Sequence, residues 1–260
     1  MRRITFIGHA TLLLEMDGIR LLTDPLLTRV VGHLARHAPV PVVSDWRLDA
    51  ILISHLHADH LHLPSLRLLG RDTLMLVPRG AGSYLARQGF DRLEEMDPGE
   101  IVDIKGVAVE ATVADHPGRP MPGRPDTSCI GYVIHASQHV YFTGDTDIFP
   151  EMALIGEKID VALLPVWGWG PTLGIGHMDP LRAAKALELL HPTLAIPIHW
   201  GTYFPLGLRK FLPRFLNNPP HEFATHARKL APGVQINVLN PGESLVLADS
   251  AGTQQQDTTQ

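Results

Sequence analysis

Cysteine is nearly absent from this chain of 260 residues: Cys129 is the single cysteine, so no internal disulfide can form. The apolar segment 128–134 around it predicts a buried strand thiol rather than a nucleophile. Long hydrophobic runs are also missing, because no window reaches the length of a membrane-spanning helix and residues 1–9 lack the apolar stretch of a signal peptide. We therefore expect no stable membrane insertion and a cytoplasmic location in a reducing compartment.

An excess of positive charge is absent as well. The formal net charge is -5 with histidine neutral, and no basic stripe suggests a nucleic-acid partner. The hydrophobic fraction of 45% is enough for a substantial core, and no change of composition suggests a linker. We predict one domain over residues 1–249, followed by a polar, disordered tail over residues 250–260.

Short apolar runs separated by turns predict β-hairpins in the first part of the chain. Asp17-Gly18 lies between two such runs, where a tight turn needs positive φ. Strands then alternate with helices, and the clearest helix starts at Asp179-Pro180, since Asp caps the free N–H groups and Pro suits the first helical position. The pattern occurs roughly twice, which predicts an α/β fold with two mixed sheets packed together and helices outside. Residues 28–43 have no clean period and are predicted to form a loop with at most one helical turn.

Histidine, in contrast, is abundant, and four of the 15 histidines lie close together in and just after the segment SHLHADH, residues 54–60. On an extended segment His55 and His57 point the same way, whereas a following turn can swing Asp59 and His60 toward a second point. This arrangement suits two metals that share one loop. Imidazole with carboxylate favours zinc, with iron and manganese as alternatives. A histidine-rich surface loop is the alternative interpretation.

Other metal-competent residues also follow apolar strands. His116, Asp145 and His199 each come shortly after a predicted strand. Strand ends at one edge of a sheet converge in space, so we expect these side chains to reach the same site as the histidine-rich segment.

SHLHADH resembles the HxHxDH signature of the metallo-β-lactamase superfamily. The resemblance extends to His116, to TGDT at residues 143–146 and to IHWG at residues 198–201, and so covers most of the chain. It implies the αββα sandwich of that superfamily. It also implies a ligand set in which one metal is held by His55, His57 and His116, the other by Asp59, His60 and His199, and Asp145 bridges the two.

Within the superfamily, residues 8–25, TGDT, GHMDP at residues 176–180 and IHWGT at residues 198–202 resemble the branch that contains N-acyl phosphatidylethanolamine phospholipase D and the ascorbate-6-phosphate lactonases. The GDT context of the bridging aspartate is typical of phosphoester or lactone chemistry. Asp24 matches an aspartate of the family that would brace the histidine-rich segment 54–60, here called the metal loop, by hydrogen bonds. A turn-capping Asp before Pro25 is the alternative.

Two such cations lower the pKa of a bridging water and polarise the substrate oxygen. Asp145 would then set the metal–metal distance and orient the hydroxide. His177 precedes the helix that starts at Asp179, and it is predicted to protonate the leaving group or to hold a substrate oxygen. An ordinary polar loop histidine is the alternative.

Further residues are predicted to line a substrate pocket. His9 follows the first strand and could line the pocket, but a purely structural role is the alternative. Trp167 and Trp169 could form a wall of the pocket, and packing in the core is the alternative for both. Arg119 and Arg124 offer charge for an anionic group, although a solvated loop arginine is the better explanation for each of them.

The sequence thus predicts a dinuclear metal-dependent hydrolase of the phosphodiesterase or lactonase type, acting on a small, anionic phosphodiester or phosphorylated lactone. One alternative is a lactonase for an uncharged, acyl-homoserine-type lactone, which needs an apolar pocket. Another, of a different class, is a non-catalytic metal-binding scaffold. No feature of the sequence excludes a homo-oligomer.

Overall fold

The computed structural model describes residues 2–39, 42, 46–118 and 122–248. The predicted tail over residues 250–260 and Arg119 lie outside these ranges. Two seven-stranded sheets and one three-stranded sheet make up the β-structure of the described residues.

The first large sheet is built mostly from the first part of the chain. In spatial order its strands are β17 (Ser244–Val246), β1 (Arg3–Gly8), β2 (Thr11–Met16), β3 (Ile19–Thr23), β6 (Ala50–Leu52), β7 (Leu74–Pro78) and β8 (Leu93–Met96). Strands β17, β1, β2 and β3 pair antiparallel, whereas β3, β6, β7 and β8 pair parallel.

The second large sheet repeats this arrangement in the rest of the chain. In spatial order its strands are β16 (Gln235–Ile236), β14 (Leu194–Ile198), β13 (Val161–Pro165), β12 (His139–Phe142), β11 (Ile130–His135), β10 (Val107–Val113) and β9 (Ile101–Ile104). The hairpin strands β9 to β12 pair antiparallel, and β12, β13, β14 and β16 pair parallel. The predicted repetition of hairpins followed by parallel strands therefore describes both sheets.

Helices cover the outer faces of the two large sheets. Leu66 and Leu85, from the first two helices, pack with Ile51 and Val77 of the first sheet. Two longer helices pack on each other and on β13 and β14. The helices are α1 (Leu63–Leu69), α2 (Gly82–Arg87), α3 (Met152–Gly156), α4 (Pro180–Leu190), α5 (Arg214–Asn217) and α6 (Pro219–Leu230), and a 3-10 turn covers Leu208–Lys210. Two mixed sheets flanked by helices confirm the predicted α/β sandwich.

The local turn and cap chemistry follows the sequence closely. Asp17 and Gly18 have φ values of 44° and 89°, the positive values that the predicted hairpin turn between β2 and β3 requires. The carboxylate of Asp179 accepts a hydrogen bond of 2.8 Å from the backbone N–H of Arg182, which caps α4 as predicted.

The prediction of a loop over residues 28–43 is wrong for its described part. Val30–Val31 (β4) and Leu34–Arg36 (β5) form a hairpin, which pairs with Tyr203–Pro205 (β15) in the third sheet. These strands are two and three residues long, too short for a periodic pattern, and their partner is far away in sequence. Gly32, with a φ of 55°, was the one local turn signal.

The structure differs from the sequence prediction in two further places, a stretch predicted as one helix and a strand that was not predicted. The apolar spacing of residues 208–216 predicts one helix, but the structure has the 3-10 turn followed by α5, because Pro213 interrupts the run. The charged edge strand β8 was not predicted, since LEEM lacks the apolar alternation of a half-buried strand.

Facing side chains of the two large sheets form one contiguous apolar core. Leu12, Leu14 and Leu52 of the first sheet belong to the same buried cluster as Tyr132 and Phe142 of the second. In β2, Leu12 and Leu14 face this core, whereas Leu13 belongs to the cluster under the outer helices, as the two-residue period of a strand requires.

Tyr132 ties the sheets together through a polar contact inside this core. Its hydroxyl lies 2.8 Å from the carbonyl oxygen of Ile53 and 3.0 Å from that of Leu76, and can donate to either. Ile53 is the last residue before the histidine-rich segment. The contact therefore holds the start of that segment against the second sheet.

We predict that Tyr132→Phe lowers the free energy of unfolding by about 1–2 kcal/mol, because a buried hydrogen bond to two carbonyl oxygens is lost. Urea unfolding followed by circular dichroism measures the change. Tyr141→Phe is the matched control, since the buried Tyr141 hydroxyl reaches no carbonyl oxygen in the described part of the chain and has only the Thr112 hydroxyl beside it. Equal losses in both variants would contradict the role of the Tyr132 hydroxyl.

Candidate metal centre

The residues predicted to bind metal follow strands of both large sheets. The segment 54–60 follows β6, His116 follows β10, Asp145 follows β12 and His199 follows β14. The structure brings all seven predicted ligands together at one end of the sandwich. The side chains of His55, His60 and Asp145 are at most 2% exposed.

Sharp backbone turns aim several of these side chains inward. His9, Asp24 and His199 have φ values of 58°, 31° and 61°, a conformation that is uncommon for residues with a side chain. Each follows the last residue of a strand. Such turns cost of order 1–3 kcal/mol each and persist where surrounding contacts impose them, most often at functional sites.

The first group of ligand atoms contains three imidazoles. Nε2 of His55 and Nε2 of His116 lie 3.0 and 3.2 Å from Nδ1 of His57. All three nitrogens lie within 4.8 Å of one another, which is close enough for one metal ion to contact each of them.

The second group contains Asp59, His60 and His199, as predicted, together with His9. Nε2 of His60 lies 3.2 Å from Nε2 of His199. Oδ2 of Asp59 lies 3.7 and 3.8 Å from these two nitrogens. The arrangement offers two imidazoles and one carboxylate to a second ion.

Asp145 lies between the two groups. Its Oδ2 is 4.0 Å from Nε2 of His55 in the first group and 3.1 Å from Nε2 of His60 in the second, and its Oδ1 is 3.2 Å from Nε2 of His199. Oδ1 is buried and accepts no hydrogen bond from the described residues. A buried carboxylate oxygen without a donor is costly unless a cation balances it.

The outward ring nitrogens hold each imidazole in a fixed orientation. Nδ1 of His116 donates to the carbonyl oxygen of Gly176 at 2.8 Å, and Nδ1 of His199 donates to that of Trp167 at 2.9 Å. Because a carbonyl only accepts, the proton is on Nδ1 and the lone pair of Nε2 faces the centre. This is the tautomer that a metal-binding imidazole needs.

Asp24 performs the same task for the second group. Its Oδ2 lies 2.7 Å from Nδ1 of His60, while its two oxygens accept hydrogen bonds from the backbone N–H and the hydroxyl of Ser54. The carboxylate is fully buried. These contacts are those of the bracing residue predicted from the sequence.

The protonation states also suit metal binding. Burial lowers the pKa of His55 well below its usual value and that of His116 to about 4, so both rings are neutral. Burial opposes the charge of Asp145, but the nearby imidazoles of His199 and His60 outweigh it and lower the pKa of Asp145 well below its usual value. Neutral imidazoles and ionised carboxylates are the forms that ligate a cation.

His60 is the exception. Burial disfavours its charged form, but the carboxylates of Asp145 and Asp59 outweigh burial and raise the pKa of His60 well above its usual value. Negative charge gathered here attracts a proton, and a divalent cation satisfies the same demand. The donor set therefore fits two divalent metal ions.

A cavity of about 550 Å³ opens above this centre. His57, Asp59, Asp145 and His177 form its floor, and its walls comprise Val31, Gly32, His33, Leu34, Ala58, Pro122 and Trp169. Nε2 of His177 lies 3.2 Å from Oδ2 of Asp145. Burial opposes the charge of His177, but the hydrogen bond to this carboxylate raises the pKa of His177 above its usual value.

Two of the predicted pocket residues lie elsewhere. His9 is 1% exposed and its Nε2 lies 2.9 Å from Oδ2 of Asp59, so it supports the metal loop from below instead of lining the cavity. The indole of Trp167 donates to the carbonyl oxygen of Gly170 and stacks on Phe215. Neither belongs to the described lining, because the positive φ of His9 and the ring stacking of Trp167 turn them away.

The positions of Arg124 and His33 also differ from what the sequence suggests. Arg124 donates to the carbonyl oxygen of Leu56 and so braces the metal loop rather than facing solvent. His33 lies in the cavity wall, edge-on to Trp169 with ring centroids 5.1 Å apart. Sequence reasoning missed His33 because it lies in the hairpin that was predicted as a loop.

With fold and site in place, comparison with known proteins identifies the class. The family described as Beta-lactamase superfamily domain matches residues 19–200. The solved structure of Igni18, a metallo hydrolase from Ignicoccus hospitalis, has a TM-score of 0.73 and 25% identity, and covers 94% of this chain and 97% of that chain. The chain is a metal-dependent hydrolase of the metallo-β-lactamase fold.

Whole-length relatives narrow the family. A UPF0173 metal-dependent hydrolase of Methanopyrus kandleri is 33% identical over 253 residues, which cover 93% of this chain and 98% of the relative. Another UPF0173 metal-dependent hydrolase, from Opitutus terrae, is 34% identical over 251 residues, which cover 94% of this chain and 99% of the relative. The chain belongs to this UPF0173 family, and its resemblance to the phospholipase D and lactonase branch stays a prediction. Across the described part of the chain, no helix is long and apolar enough to cross a membrane.

We predict that Asp24→Asn weakens metal binding about 10- to 100-fold, because the amide cannot fix the His60 ring as the carboxylate does. Competition with a chromophoric chelator measures the affinity. Asp179→Asn is the matched control, since asparagine caps a helix as well as aspartate does. Unchanged affinity in a folded Asp24→Asn variant would contradict the bracing role.

Proposed function

We propose that this chain is a two-metal hydrolase that cleaves a small phosphodiester or phosphorylated lactone. The position of Asp145 carries the proposal, since one buried carboxylate reaches two groups of ligand atoms. One metal would be held by His55, His57 and His116, the other by Asp59, His60 and His199, with Asp145 shared. Zinc suits imidazole and carboxylate ligands best, with manganese and iron as alternatives.

When bound, two divalent cations supply an activated water at neutral pH and polarise the reacting oxygen of the substrate. The chain's own residues determine the geometry around them. Asp145 would keep the two groups at a fixed separation, and Asp24 and His9 would hold the His60 ring and the Asp59 carboxylate. With two divalent ions bound beside the carboxylates of Asp59 and Asp145, the floor would carry net positive charge, which favours an anionic reacting group such as a phosphodiester.

His177 is proposed to hold the proton that the leaving group needs. Its ring is about 20% exposed, lines the cavity and lies 3.2 Å from Oδ2 of Asp145, and the hydrogen bond to this carboxylate raises the pKa of His177. His177 also lies within 4.8 Å of the ligand atoms of His116 and Asp145, so metal ligation is its competing role.

An uncharged lactone is the second candidate substrate. The cavity wall favours it, because Val31, Leu34 and Trp169 present apolar surface to the ligand. A non-catalytic scaffold is disfavoured by the intact, braced ligand set. We also propose a small-molecule substrate in a cytoplasmic setting.

We predict that His55→Ala and Asp145→Ala each lose bound metal and hydrolysis together, while circular dichroism shows a folded chain. Elemental analysis and turnover of bis-(p-nitrophenyl) phosphate and a lactone panel measure the two losses. His135→Ala is the control, since its ring pairs with Glu110 at the far end of β11. Full metal stoichiometry in both site variants would refute the ligand assignment.

We predict that His177→Gln lowers kcat about 100-fold for a phosphodiester with an alkoxide leaving group and much less for one with p-nitrophenolate, because only the poor leaving group needs a proton. Metal content is measured in parallel. Loss of metal would instead assign His177 as a ligand, and equal loss of kcat with both leaving groups would contradict the acid role.

A further inference from the structure

The cavity above the metal centre has two chemically different halves. Its floor carries imidazole and carboxylate groups, whereas its walls are mostly apolar. The volume of about 550 Å³ exceeds what a single reacting ester bond fills and lies in the usual range of small-molecule pockets. The part of the substrate that does not react must therefore occupy the space between the walls.

One wall is the β4–β5 hairpin, and it is rigidly supported. Val31 and Leu34 are 7% and 4% exposed and pack with Leu26 and Tyr203 in a small cluster, with Ala58 of the metal loop against it. Strand β15 pairs along β5, and the backbone N–H of Leu206 donates to the carbonyl oxygen of His33 at 3.0 Å. This wall is preformed.

A further wall residue is Trp169, which lies beside the hairpin. Its indole is 36% exposed and meets the ring of His33 edge-on, at an interplanar angle of 80°. The hydrogen bond from Trp167 to Gly170 spans the loop that carries it. An indole face held open to a cavity offers a large apolar contact at little entropic cost.

No lysine or arginine belongs to the described lining of the cavity. Two arginines near it have other partners: Arg36 donates to the carbonyl oxygens of Ile7 and Leu26, and Arg124 donates to that of Leu56. Among the described residues, a charged group on the far part of a substrate would find no opposite charge along these walls to replace its lost hydration.

We infer that the substrate carries an uncharged, apolar arm, alkyl or aryl, which packs against the hairpin and Trp169 while the scissile bond lies over the floor. The inference rests on the proposed two-metal hydrolysis for the position of that bond. It narrows the substrate to an ester or phosphodiester with an apolar arm and disfavours a lactone that carries a phosphate on its arm.

Binding of hydrolysis-resistant lactams tests the pocket without turnover. Isothermal titration of the metal-loaded protein compares N-methyl-, N-hexyl- and N-(5-carboxypentyl)-pyrrolidinone. We expect the hexyl compound to bind at least about tenfold more tightly than the methyl compound, since each buried methylene contributes up to about fourfold. The carboxylate-ended compound is expected to bind about tenfold more weakly than the hexyl compound. Equal affinities, or a preference for the carboxylate, would overturn the inference.

Variants locate the arm. Trp169→Ala and His33→Ala are expected to reduce the hexyl-to-methyl affinity ratio to about twofold, and Trp169→Arg to shift the preference toward the carboxylate-ended compound. Phe211→Ala is the matched control, because Phe211 is an exposed aromatic outside the described cavity lining. An unchanged ratio in both alanine variants, with folding verified by circular dichroism, also overturns the assignment.

Turnover separates this inference from the proposed function. Matched series of alkyl p-nitrophenyl phosphates and γ-alkyl lactones, from methyl to hexyl, are assayed with the same protein. Hydrolysis that rises about tenfold or more with arm length supports both proposals. Hydrolysis without that dependence overturns the inference alone, and binding of the hexyl lactam with no hydrolysis in either series overturns the proposed function alone.

Discussion

The buried carboxylate of Asp145 is the constraint on which the rest of the site depends. It lies where strand ends of both sheets meet, almost without solvent, and faces the imidazoles of His55, His60, His177 and His199. A buried, ionised carboxylate needs compensating positive charge or hydrogen-bond donors. The raised pKa values of His60 and His177 and the fit to divalent cations answer that requirement, and the braces behind the imidazoles fix the orientation of the rings.

The duplicated architecture explains why the ligands converge. Each large sheet begins with antiparallel hairpins and continues with parallel strands. The residues after β6, β12 and β14 reach the same end of the sandwich as His116, which follows the antiparallel strand β10. Rigid strands therefore position the side chains, and tight turns such as those at Asp24 and His199 aim them. The contact of Tyr132 with Ile53 then holds the metal loop against the opposite sheet.

The β4–β5 hairpin of the third sheet adds a wall to the metal centre and so forms the cavity above it. Without the β4–β5 hairpin, the floor of His57, Asp59 and Asp145 would face open solvent. With it, the charged floor stands opposite an apolar wall. On the proposed function, chemistry and recognition would be carried by different parts of the chain: the strand ends would supply the reactive groups, and the short hairpin that pairs with β15 would shape the space above them.

The sequence alone determined the two-sheet architecture, most of the order of strands and helices and the seven candidate ligands. Each depends on signals within the chain: apolar periodicity, Asp17-Gly18, the Asp179 cap, the HxHxDH segment, and the places of His116, Asp145 and His199 after apolar strands. Tertiary structure alone decided the roles of His9, Trp167, His33 and Arg124. Which way such a side chain faces depends on a backbone turn or a distant partner, as with the positive φ of His9 or the pairing of β5 with β15. Long-range pairing of two- and three-residue strands leaves no periodic trace in a sequence.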